Sequence, residues 1–199
     1  MARKWAVVMA AALAASPAAA VDPLSEVSGN WAGPEGGGFY FSATLEQAGD
    51  AARLRIWHAP EAALQGGDPA LDVADFALSA FVTEGGQWLE VVDLGGGAGS
   101  ILQVITEFAD EEAEGREVVQ LQYLDNQFTV TGFFHRSVFY NPGGATEPFE
   151  CEVDVRNGIA TVDGQRQALP PMDFEAMNAA GWSYGAAFER GWCPRVDGG

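Results

Sequence analysis

The chain has 199 residues, 48% of them hydrophobic, and sets 28 acidic residues against ten basic ones for a formal net charge of −18. A length of this order fits one domain with a sizeable core. So large a negative charge repels nucleic acid and anionic membrane surfaces, which excludes DNA, RNA and lipid headgroups as expected partners; cationic partners stay open, and the charge also serves solubility.

Arg3 and Lys4 precede an apolar run over 5–15, and Ala18, Ala19 and Ala20 follow it. A charged start, a short apolar middle and a small-x-small site are the features of a secretory signal peptide, too short to span a bilayer. Cleavage is expected after Ala20, leaving one β-rich domain over 21–199. Arg3 and the only lysine leave with the leader, so eight arginines then face all 28 carboxylates, a net of −20. No cysteine follows until Cys151, so the new amino terminus cannot be lipidated, and Asp, Glu, Gln or Gly interrupts every later apolar stretch. A soluble periplasmic or secreted protein, without membrane insertion, is the expectation.

Period-two alternation predicts strands over 39–47, 53–58, 72–83, 88–94, 101–108, 117–124, 128–140 and 149–156. The last is the clearest: Phe149, Cys151, Val153 and Val155 alternate with Glu150, Glu152, Asp154 and Arg156, so one face is buried and the other wet. Asp125-Asn126, Asn157-Gly158 and Asp163-Gly164 read as two-residue turns whose members tolerate positive φ, so neighbouring strands should pair in sequence. Gly85-Gly86 and the glycines of 95–99 mark looser turns, and 60–69 and 141–148 read as irregular. Towards the end, Pro171 and the series Phe174, Met177, Ala180 predict a short helix over 171–180; Gly181 would stop it, and Ser183 would cap a second turn or two carrying Tyr184, Ala187 and Phe188. The residues 196–199 are expected to fray.

Cys151 and Cys193, in an exported chain, predict one disulfide closing 42 residues and tethering the tail to the strand of Cys151. In the chain-entropy account such a loop is worth roughly 4 kcal/mol. The fold class that follows is mostly β: an antiparallel meander barrel or a two-sheet sandwich with a short carboxyl-terminal helical segment. An outer-membrane barrel is rejected, because acidic and basic residues fill one strand face and the chain ends in a tethered tail rather than a closing strand.

Gly29-Asn30-Trp31, just before the first long strand, resembles the Gly-x-Trp opening of lipocalin and avidin-type (calycin) barrels. The likeness covers these residues and the meander pattern. It implies that Trp31 closes the barrel base with Arg156 or Arg195 packed over it, and that a small ligand binds inside.

Arg53, Arg55 and Trp57 alternate with Leu54 and Ile56, placing two guanidinium groups and an indole on one strand face. Such a set can hold a carboxylate, phosphate or sugar by bidentate bonds and stacking; equally, cross-strand Glu or Asp partners would account for both arginines without a ligand. His58 and His135 are the only histidines, and neither lies in a catalytic motif. Asp110, Glu111, Glu112, Glu114 and Glu117 gather around one turn, either as Ca²⁺ ligands or as a solvated hairpin tip. Phe133-Phe134 and Phe139-Tyr140 must point to both faces of a strand, so one ring of each pair either meets the carboxyl-terminal helices or lines a groove. No nucleophile elbow, phosphate loop, metalloprotease or dinucleotide motif occurs. The sequence therefore points to an exported, non-catalytic protein binding a small ligand or a protein partner, with Arg53, Arg55 and Trp57 as the ligand-binding candidates and no cofactor or metal expected. The alternative is an exported hydrolase using carboxylates or a metal, with carbohydrate as the substrate class.

Overall fold

The computed structural model describes residues 23–33, 37–59, 67–79, 82–111, 113–141, 143–145, 148–171 and 175–194. The predicted leader over 1–20, Glu112 and Arg195 lie outside the described residues. Alternation turns into strands wherever one face can be buried. In β2 (Tyr40–Ala48) Phe41, Ala43 and Leu45 lose all exposure, as do Ala52, Leu54 and Ile56 in β3 (Ala51–Ala59). With β1 (Ser25–Asn30) and β4 (Leu71–Leu78) these form an antiparallel sheet in the order β1-β2-β3-β4.

The second sheet runs β12-β11-β10-β8-β7-β6-β5, built from β5 (Val82–Asp93), β6 (Ser100–Ala109), β7 (Ala113–Leu124), β8 (Gln127–Asn141), β10 (Phe149–Asp154), β11 (Ile159–Val162) and β12 (Gln165–Ala168). The short β9 (Gly144–Ala145) folds back on the end of β8. One inner row of this sheet reads Leu89, Val104, Val119, Phe133, Val153 and Ala160, all buried against the small sheet in one core. The barrel-or-sandwich alternative resolves to two sheets that do not close into a barrel. They meet along β1 and β5, where Leu89 N–H donates to Ser25 Oγ at 3.0 Å and Ser100 N–H to the Trp31 carbonyl at 3.2 Å. That approach is tight enough to demand glycine: at Gly99 (φ +89°) a Cβ would sit 2.2 Å from the Trp31 oxygen.

Several boundaries differ from expectation. The predicted strand over 72–83 is two strands, β4 ending at Leu78 and β5 starting at Val82, because the chain crosses here from one sheet to the other. The predicted two-residue turn at Asn157-Gly158 spans 155–158, since the Asp154 carboxylate accepts from the Asn157 N–H and holds a wider turn. In place of an α-helix over 171–180 the described residues form 3-10 turns at Glu175–Met177 and Ala179–Gly181. Asn178 interrupts them: it bridges to Thr129, and its side chain caps the Ala180 N–H. The second helix, α1 (Ala186–Glu189), starts after Gly185 in a left-handed conformation, not from a Ser183 cap.

This tail is held by burial and by sulfur. Trp182 packs against Phe76 and Phe133, Trp192 is wholly buried, and Arg190 lies over both indoles at 5.2 and 5.4 Å. Cys151 and Cys193 form the expected disulfide. Among the described residues no helix is long and apolar enough to cross a membrane.

Candidate functional site

Arg53, Arg55 and Trp57 share the outer face of the small sheet as expected, and each meets a neighbour, although the buried Nε of Arg55 has no hydrogen-bond partner among the described residues. Arg53 grips Asp72 with Nε and a terminal nitrogen on the two carboxylate oxygens, and this hydrogen bond holds the Asp72 carboxyl below the usual carboxylate range. Arg55 meets Glu46 at 2.9 Å, and Trp57 donates from Nε1 to the Gly67 carbonyl at 3.1 Å. The cross-strand carboxylates thus neutralise both cations, leaving little to attract an anion.

His135 lies on the inner face of β8, in one row with Thr106, Glu117 and Cys151. Its Nδ1 is 3.4 Å from Glu117 Oε2 and its Nε2 3.2 Å from Ser137 Oγ, the order of carboxylate, imidazole and hydroxyl that activates a serine. Enclosure works against that chemistry. Ser137 is 2% exposed, and Phe108, Phe149 and Phe188 surround the imidazole with centroids at 6.0, 6.0 and 5.0 Å. β8 is paired on both sides, so its backbone N–H groups serve the ladders rather than an oxyanion. Glu117 is thereby drawn out of the acidic turn cluster and into the core at 6% exposure, while Asp110, Glu111 and Glu114 stay exposed. Among the described residues no group of three or more His, Cys, Asp or Glu could hold a metal ion.

At the other end of the sandwich Trp31 stacks on Phe41 at 4.0 Å and meets Phe128 at 6.1 Å. Arg156 does not cover it; that guanidinium donates to Gln122 Oε1 at 3.3 Å. His58 rests edge-on against Tyr123 at 4.7 Å, so both histidines are packed among rings. Of the paired aromatics, Phe133 turns inward to Trp182 and Phe188, as expected of a ring meeting the tail.

The outer face of β10, β11 and β12 carries a shallow open groove of about 550 Å³, lined by Glu152, Asp154, Asn157, Ile159, Thr161 and Arg166. Strand register places Phe134, Glu152, Thr161 and Arg166 in one row across four strands. Asp154 is taken up by Asn157, which donates from its backbone N–H and its side-chain amide. Glu152 and Arg166 face the groove with no partner among the described residues, two strand spacings or roughly 10 Å apart with Thr161 between them. A carboxylate, a hydroxyl and a guanidinium in one row offer acceptors and donors to a polar ligand. The sequence hinted at Glu152 only as part of a wet strand face; Arg166 sits in Gln-Arg-Gln-Ala, which has no apolar alternation to reveal a strand. The one clue was spacing, since the turns at 157–158 and 163–164 bracket a segment, 159–162, long enough for one arm of a hairpin. Comparisons with protein-family models, with curated proteins and with solved structures each found no match.

Proposed function

We propose that this is an exported, non-catalytic binding protein that takes its ligand on the outer face of the large sheet, along the row Glu152, Thr161, Arg166. The observation that carries this reading is that Glu152 and Arg166 face one open groove without partners among the described residues, whereas Arg53 and Arg55 each have a carboxylate against them and His135 lies between Glu117 and Ser137. The leader-like start and the disulfide support export. A ligand on the Arg53, Arg55 and Trp57 face would have to displace Asp72 or Glu46, so that face ranks second. The hydrolase alternative draws on the order Glu117, His135, Ser137.

Native mass spectrometry of the protein from its own exported fraction tests these readings together. A bound mass that denaturation removes, and that Glu152→Gln with Arg166→Gln abolishes while Arg53→Gln does not, is the expected result. Loss in Arg53→Gln alone would move the site to the small sheet. Conversion of the bound species into two fragments, stopped by Ser137→Ala, would replace binding by hydrolysis.

A further inference from the structure

Two sheets have four edges, and among the described residues three of them are occupied. β1 and β5 lie against each other through the Leu89 to Ser25 hydrogen bond, and the edge of β4 accepts the tail through Tyr184 N–H to the Asp75 carbonyl at 2.9 Å. β12 has β11 on one side and, among the described residues, no strand on the other; all four of its residues are exposed. An open edge is a template for another strand unless it is blunted.

The phase of the β11–β12 hairpin settles which groups the edge offers. Asp163 (φ 48°) and Gly164 (φ 77°) make a two-residue turn, so the flanking pair Val162 and Gln165 is hydrogen-bonded, as is Ala160 with Gln167 two residues on. The next step fits, since Leu169 N–H donates to the Gly158 carbonyl at 2.9 Å. Arg166 and Ala168 therefore turn their backbone N–H and C=O outward, and the Arg166 side chain stands on the groove face beside them, without a partner among the described residues.

We infer that β12 accepts an extended segment of a partner polypeptide as an added strand, with a carboxylate side chain of that segment placed across from Arg166. Backbone bonds to Arg166 and Ala168 supply the pairing, and the guanidinium selects the register by charge. The occupant is not a second copy of this chain, because a two-fold β12 pairing sets strongly negative bodies against each other. The inference rests on the groove reading and names its partner.

The test uses the full exported protein and a capped heptapeptide of alternating Val and Thr with a central Glu, beside versions carrying Gln or Lys at the centre. Binding followed by amide exchange should protect Arg166 and Ala168. Ala168→Pro removes an outward N–H that the fold does not use, as edge strands tolerate; it should keep the unfolding midpoint and weaken the Glu peptide by about tenfold or more. Arg166→Glu should reverse the preference towards the Lys peptide. No binding of the Glu peptide, equal binding to Ala168→Pro, an unreversed preference, or self-association that Ala168→Pro abolishes would each overturn the inference. A native ligand that binds Ala168→Pro normally but needs Glu152 would leave the groove reading standing while the strand reading falls.

Discussion

Individual side chains are fixed here by how closely chains pass and by what each charge meets. Gly99 is the tightest case, at a positive φ with the Trp31 carbonyl where a Cβ would go. Gly99→Ala must move β1 or the β5–β6 turn, so a loss of about 2 kcal/mol or more is expected, read as a lower urea midpoint with an unchanged slope. The Arg53 and Asp72 pair is half exposed and predicts the opposite scale: a double-mutant cycle should give no more than about 1 kcal/mol. Its sign with pH is defined. Asp72 titrates lower when folded than when unfolded, so its contribution is present above the ordinary carboxylate range and fades as pH falls through the folded value. Asp72→Asn should flatten that part of the acid limb of a stability-against-pH curve, and an unchanged limb would deny the pair any role. The Arg53 face was legible in the sequence because alternation places side chains on faces; its partners were not, since Glu46 and Asp72 come from strands whose register only the fold sets. Glu117 was misplaced for the related reason that proximity along the chain to an acidic turn says nothing about which face a strand residue takes.

Whole elements were readable where burial imprints a period. β2, β3, β6, β7, β8 and β10 each present apolar residues to the shared core, and their alternation foretold them within a few residues. β11 and β12 escaped because β11 has only four residues and β12 buries none of its own. The tail misled in the other direction: its helical spacing is real, but Asn178 spends its backbone on a bridge to Thr129, and tertiary pairing overrides local propensity. Tertiary anchoring also makes the tail the element most dependent on its tether. Cys151→Ala with Cys193→Ala opens a 42-residue loop and should cost roughly 4 kcal/mol. Since Trp182 and Trp192 lie in that tail, their near-ultraviolet signal should melt at lower denaturant than the far-ultraviolet strand signal; a single coincident transition would mean that packing alone holds the tail.

At the scale of the molecule, an apolar core shared by two sheets works against a charge that is nearly all of one sign. Among the described residues the ion pairs between arginine and a carboxylate involve Asp72, Glu46 and Glu107, so most of the negative charge has no cation against it. Short pairs at contact are screened less by salt than repulsions spread over the surface, because the Debye length shrinks from about 30 Å at 0.01 M to about 8 Å at 0.15 M. Net repulsion should therefore dominate the salt response. Raising sodium chloride across that range is expected to increase the melting temperature, and lowering the net charge by Glu152→Gln or Asp154→Asn should reduce the increment. If the melting temperature instead falls with salt, the arginine pairs contribute more to the folded state than the surplus charge takes away, and the acidity would have to be explained by a partner rather than by solubility.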